Sequence, residues 1–541
     1  MSPVRGYFHA VRRPAPPRCA PHHEENPIAT LASAPTVPRD DRPQPRRLAK
    51  EPSAVERWTI AVLLLWLLVG PRIELVAGAR VEDLVFAAIA VLCLLHARLV
   101  VRPAGPSLAI AGVAVAGLIS ALVATARGTV DPVTAVLYAV RPLEYWIAFP
   151  AALLLLRGAH GAWGRRVEVL LMVVTVLQTA FAVAQYYFGL RVGFSHASYA
   201  RAAGLTVGPY ELGAISAALV VYWVSRGRFT MASLAAIALA ASISRVSLLA
   251  AAAGLVLLLA FWGVRLGRRI ARRGWRAALP APARSRVRVV GQVLSVTAAV
   301  LVLGSTLGVI HLPAAAPQVA PPAVPDSTSS ASTDASEAPD DTATTPPSDP
   351  SDAAPVAGPS DSIAQRLATT SIVGSWFAAQ SAAERVPPIR DSTEYADIAY
   401  ARWNQYVNPA TATATGVEAS NLVRFFRWHL ILNTIDEPTE VVLGLGPSFV
   451  GPSVDGSYLR FFADGGVLGV LAWLALVVMW LRRAPLWMVC VTLTVLVGGL
   501  FIDIVYAQRP MVLFWMLLAI AATRTRAADD AVAEQTDLVR V

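Results

Sequence analysis

Apolar runs recur along almost the whole chain, and no other feature limits its fold so sharply. They lie near 58–70, 81–97, 108–126, 143–156, 167–189, 209–225, 229–243, 246–264, 289–310, 465–481, 486–502 and 510–523. A helix needs about 20 residues to cross the hydrocarbon of a bilayer, so the shorter runs must extend into their flanks or tilt. The expected fold is all-α: a polytopic transmembrane helical bundle of about 12 spans with a partly helical outer loop. Composition agrees, because 55% of the 541 residues are hydrophobic and only 15% charged, where a soluble chain carries about 25%.

The balance of 46 Lys and Arg against 36 Asp and Glu is basic. A nucleic-acid binder would gather such residues on one soluble domain. Here most of them punctuate the apolar runs, so nucleic acid is excluded as a partner. Their alternation gives the orientation. The basic N-terminal tail, Arg98 and Arg102, Arg157 with Arg165 and Arg166, Arg226 and Arg228, the run from Arg265 to Arg288, Arg482 and Arg483, and Arg524 and Arg526 fall on one side. That side reads as the cytoplasm of a bacterial cell, in whose plasma membrane the chain would lie, with both termini inside.

The layout that follows has a disordered basic tail over 1–56, spans 1–9 over 57–310, and spans 10–12 over 458–526 before a cytoplasmic tail at 527–541. The first apolar run begins at Trp58, too late for a cleaved secretory signal, so the first span is expected to stay uncleaved. The long outward connection has two parts. Its first, 311–362, is rich in Ser, Thr, Pro and Asp and poor in large apolar residues, and reads as a disordered acidic insert. Its second, 363–457, recovers aromatic residues and reads as a partly helical cap. Within it, Leu422, Phe425, Phe426, Leu430 and Asn433 recur at helical spacing, while Arg424, Arg427 and Ile431 fall on another face.

Cys19, Cys93 and Cys490 form no CxxC pair, so neither a disulfide framework nor a zinc site is expected. No glycine pattern of a nucleotide-binding loop appears beside a strand. The expected cofactor and metal are therefore none.

The informative residues are the arginines that the charge bias does not explain: Arg72, Arg80, Arg127, Arg141, Arg191, Arg201, Arg245, Arg424, Arg427, Arg460 and Arg509. They lie near span ends on the outward side or in the cap. One reading has them binding lipid headgroups or pairing with Glu74, Glu82, Asp83, Glu144 and Asp503. The other has several converging on one anion, since the planar guanidinium grips phosphate with two parallel bonds and stays charged.

Three segments stand out. In "SISRVSLLA", Arg245 sits between two nearly contiguous apolar runs, either as a site residue or snorkelling at the interface. In "YARAAGLTVGPYELGAISA", Arg201 precedes a turn rich in Gly and Pro, with Tyr210 and Glu211 at the mouth of the next span. The third runs from Arg424 to Gly469: a basic helix (Arg424, Arg427, His429), a glycine turn (Gly444, Gly446), a polar cluster (Asp455, Ser457, Tyr458, Arg460), and Gly465, Gly466 and Gly469 opening a span.

In residues 201–213, 242–250 and 424–470, in that order, the chain resembles the O-antigen ligase and O-antigen polymerase family of membrane glycosyltransferases. The resemblance implies a polyprenyl-diphosphate-linked glycan as donor and a glycan or lipid-linked glycan as acceptor. Transfer would take place at the outer face, among membrane lipids and without a metal. It implies that Arg245 with Arg424 or Arg427 holds the diphosphate and that Arg201 makes a third contact, with Tyr210, Glu211, Tyr458 and Arg460 lining the substrate. Where ligases of that family carry His, this chain has Asp455 followed by Gly456, which favours polymerase over ligase. Asp455 is the candidate base, with His429 as substitute; alternatively, Asp455 caps the helix near Ser457 or pairs with Arg460. A transporter or flippase of a lipid-linked or anionic glycan is the alternative class. It would place charges at the bilayer midplane, whereas here they cluster at span ends.

Overall fold

The structure is a computed structural model and describes residues 51–73, 80–97, 104–156, 162–190, 201–278, 372–407, 419–451, 454–482 and 484–523. The described residues form helices and no strand. In chain order these are α1 (Ala54–Val69), α2 (Val81–Leu95), α3 (Ala104–Ala126), α4 (Pro132–Trp146), α5 (Ala148–Leu156), α6 (Ala162–Phe188), α7 (Pro209–Ser225), α8 (Phe229–Ala241) and α9 (Arg245–Ala278). After them come α10 (Ile372–Ala383), α11 (Ser392–Ala396), α12 (Trp403–Tyr406), α13 (Ala419–Thr434), α14 (Pro438–Leu443), α15 (Ser457–Leu481), α16 (Leu486–Gly499) and α17 (Gln508–Thr523).

Among the described residues, five segments are long and apolar enough to cross a membrane: Ser107–Ala126, Pro132–Leu156, Trp163–Phe188, Arg245–Arg265 and Ser457–Leu481. The chain is thus a helical membrane protein. Every other predicted run except 289–310 also falls on a helix, but α1, α2, α7, α8, α16 and α17 are shorter. The run at 289–310 and the acidic insert lie outside the described residues.

Local sequence sets the helix ends. Ser53 accepts from the backbone N–H of Glu56 while the Glu56 carboxylate accepts from that of Ser53, closing a capping box on α1. Asp131 caps α4 by accepting from the Thr134 N–H, and Pro132 supplies the fixed φ of a first helical turn. Helix α7 is buried all round from Leu212 to Val224, so it lies at the centre of the bundle. Small residues bring its neighbours in: a Cβ at Gly213 would lie 2.5 Å from Ser247 Oγ of α9, and one at Gly254 of α9 would collide with Thr494 of α16.

Residues of 372–407 and 419–451 build a second apolar cluster around Tyr395, Phe426 and Phe449, capping the ends of α3 and α4 through Ala121, Ala124 and Ala135. Ser392 N–H donates to Thr129 O, and Arg127 donates to Glu437 and Glu440 at 2.9 and 3.0 Å, clasping α14 to the end of α3. Helix α13 departs from the face expected of it. Leu422, Phe425, Phe426 and Leu430 are buried, but so are Ile431 and Arg424, and Asn433 is exposed. The reason is that α13 is packed between α10 and the π-helical turn Asp397–Ala401, so it has two buried sides.

At the end of the bundle away from this cap, arginines of separate connections meet as the charge alternation requires. Arg166 lies over Trp163 and Trp58, Arg57 over Trp163, and Arg226 and Arg228 reach Glu168.

Candidate active site at the cap end of the bundle

The segment 201–208 is held from below by two side chains of α6. Gln185 Oε1 accepts from the N–H groups of Ala203 and Gly204 at 2.8 and 2.7 Å, and its Nε2 donates to Gly204 O. One helical turn pair earlier, Gln178 accepts from Leu205 N–H and donates to Leu68 O. Gly204 needs its φ of +59°, and a Cβ there would meet the Gln178 oxygen at 2.6 Å. This frame fixes Arg201, whose guanidinium donates to Ser242 O and to the Tyr210 hydroxyl and lies 4.5 Å over the Tyr210 ring. Three residues beyond Ser242, Arg245 is exposed on the first turn of α9.

In the cap, Arg427 Nη1 donates to Asp455 Oδ2 at 3.0 Å and its Nε to Ala399 O, with the guanidinium 4.5 Å over Tyr400. Asp455 has a left-handed backbone, φ +52°. It neither caps α15, whose N-cap is Gly456 without a side-chain bond, nor pairs with Arg460. Arg460 is fully buried and engaged by Asp503 at 2.5 Å and by Gly451 O at 2.8 Å, with Asp464 at 3.8 Å, so it follows the pairing reading. The Tyr458 hydroxyl donates to Leu496 O. Arg424 is mostly buried and donates to Asn421, and His429 is buried 4.3 Å from the Trp376 ring. Burial lowers the His429 pKa from its ordinary 6.5.

The glycine motifs are one structural joint. Gly466 breaks α15 with φ +59°, and Gly444, at φ +82°, lies so close that a Cβ on it would be 2.5 Å from Ala463 O. Leu445 N–H donates to the same Ala463 oxygen at 2.7 Å. Gly444 of the turn and Gly466 of the span are therefore seated one on the other, while Gly446 faces Ala124 of α3.

A further group joins from α2, α4 and α17. Burial lowers the Arg80 pKa, and the charges of Arg141 and Arg72 push it the same way. Arg141 lies 4.5 Å over Tyr138, which stacks on Tyr506, which in turn lies 4.6 Å under Arg460. Arg509 donates to Gly70 O at 2.6 Å and lies 3.9 Å from Glu211. Glu211 thus faces an arginine, and its carboxylate also accepts from Val207 N–H. Tyr395, buried with its pKa pushed up by desolvation, lies within electrostatic reach of Arg427, Asp455 and Arg460.

Arg201, Arg509, Arg72, Arg80, Arg141, Arg460 and Arg427 therefore form one belt, in which Arg201 and Arg509 engage the successive residues Tyr210 and Glu211 and the others are linked through a tyrosine or the charge of a neighbouring guanidinium. Arg201 and Arg427 stand at its two ends, and Arg245 stands beside the Arg201 end. Arg424 and His429 face the α10 packing instead. Sequence reasoning did not single out Gln178 and Gln185, although two glutamines seven residues apart in an apolar run were a readable sign of one polar helix face. Among the described residues, no three His, Cys, Asp or Glu side chains gather as metal ligands. No family model, curated protein or solved structure matches the chain.

Proposed function

We propose that the chain is a cell-envelope polysaccharide polymerase or ligase. It moves a glycan from a polyprenyl-diphosphate donor to an acceptor hydroxyl at the outer face of a bacterial plasma membrane, on a bundle of about twelve spans with both termini cytoplasmic. The observation that carries this reading is the arginine belt at the cap end. Seven guanidiniums held by tyrosines and carboxylates are a costly arrangement beside a bilayer, and a diphosphate is the kind of ligand that repays it.

In the reaction, the bond from the anomeric carbon to the diphosphate oxygen breaks while the acceptor oxygen bonds to that carbon. The acceptor's proton passes to the Asp455 carboxylate. Arg427, beside Asp455, faces the negative charge growing on the leaving diphosphate, and a cation held in place beforehand stabilises it without reorganising, while Arg201 and Arg245, at the other end of the belt, bind the donor. The loop frame built by Gln178 and Gln185 supplies that rigidity for Arg201.

The test is release of polyprenyl diphosphate by the purified protein in lipid, given a polyprenyl-diphosphate oligosaccharide, with and without chelator. Wild type releases it, and Arg245→Ala, Arg427→Ala and Asp455→Asn do not; product length separates polymerase from ligase. Transport of the donor across liposomes without turnover would replace the transferase by a transporter.

A further inference from the structure

At the end of the bundle away from the cap, α1 and α6 lie side by side. Trp58 meets Trp163 with ring centroids 5.5 Å apart, and further along both helices Gln178 of α6 donates to Leu68 O of α1. Each helix carries an exposed apolar stripe over this length. On α1 it runs through Trp58, Val62 and Trp66, and on α6 through Val169 and Val173, at the spacing of a single helix face. Trp58 and Val62 are 53% and 60% exposed, so this face meets hydrocarbon when the bundle sits in a bilayer.

Both stripes start at one cation. Arg166, exposed and one helical turn before Val169, lies 4.4 Å over the Trp163 ring and 5.2 Å over that of Trp58. Stacking fixes the plane of the guanidinium and leaves the N–H groups at its edge to donate outward. The neighbouring arginines are already matched: Arg57 lies 3.2 Å from Glu51, and Arg226 and Arg228 share Glu168. Among the described residues, no carboxylate pairs with Arg166 or with the exposed Arg165 beside it. Two unmatched positive charges at the head of two apolar stripes fit a lipid with an anionic phosphate, and an exposed tryptophan at that level is a common neighbour of headgroups.

We propose that this face of α1 and α6 is a binding site for an anionic phospholipid, with its phosphate on Arg166 and Arg165 and its acyl chains along Trp58, Val62 and Val169. The site shares no residue with the arginine belt. It holds its lipid whatever chemistry the cap end performs.

The test uses the full chain in phosphatidylcholine nanodiscs containing a small share of phosphatidylglycerol with a photoreactive group in its acyl chain. Cross-links should map to 58–66 and 163–173, and photoreactive phosphatidylcholine at the same level should label these segments far less. Arg166→Gln, a change at an exposed position that leaves the core untouched, should cut the phosphatidylglycerol yield about tenfold, as loss of a charge-assisted bond implies. Arg482→Gln removes an exposed charge after α15, which packs on α3 and α14, and should leave the yield unchanged. Equal labelling by the two lipids, an undiminished yield in Arg166→Gln, or a matching loss in Arg482→Gln overturns the proposal. So does competition by inorganic phosphate as strong as that by unlabelled phosphatidylglycerol.

Discussion

Arg427 donates to Asp455 at 3.0 Å, joining α13 of the cap to the residue that leads into α15. The two side chains are 17% and 22% exposed, so the pair is partly shielded from solvent but open to a ligand. Asp455→Asn keeps an acceptor for Arg427 while removing the ability to take a proton. Turnover should fall about 100-fold or more with KM little changed, the pattern of a group acting only in the transition state. An equal loss of donor affinity would assign Asp455 to binding instead.

The Arg460 and Asp503 pair should behave differently, because it is sealed. Asp503→Ala strands a fully buried guanidinium and should cost about 3–5 kcal/mol, read as a lower unfolding temperature in detergent. Replacing Arg460 and both of its carboxylates with apolar residues, Arg460→Met with Asp464→Leu and Asp503→Leu, should recover most of that loss. If the triple variant is folded but no longer binds donor, Arg460 also serves the substrate.

Gly466→Ala forces a left-handed backbone on a residue with a Cβ, at about 1–2 kcal/mol, before its collision with Val442 O is counted. Gly465→Ala has open space and no positive φ to satisfy, so it should cost clearly less. Thermal unfolding of the two variants side by side checks the contrast.

The His429 pKa is depressed in the folded protein, so above 6.5 the ring is neutral in both states and its contribution is fully present. As pH falls below 6.5, the unfolded chain takes up the proton first and stability declines through the folded pKa. Denaturation midpoints at pH 7.5 and 5.5 should show that decline in wild type and a smaller one in His429→Phe, which keeps the packing on Trp376.

The apolar helices were legible because apolar runs between arginines follow directly from the physics of the bilayer, and eleven of the twelve runs coincide with helices that need no long-range information. The arginines near the span ends were legible as a set. Asp503 was named as a partner, but which arginine meets which group was not legible, because Arg460 meets Asp503 across 43 residues and Arg509 meets Gly70 across 439. Arg424 looked like a ligand for phosphate because helical period alone cannot reveal that α13 is buried on two sides. The glycines looked like part of the chemistry because their spacing cannot show that Gly444 rests on Gly466.

The Arg460 clamp also sets an order of assembly. Arg460 enters the membrane early in the making of α15, yet Asp503 is not synthesised until α16 is complete. Until then the carboxylate at hand is that of Asp464, one turn along the same helix, and the shorter contact waits on the chain beyond α16. A chain ending before residue 503 would keep Arg460 beside Asp464 but lack the closer contact that Asp503 makes with it.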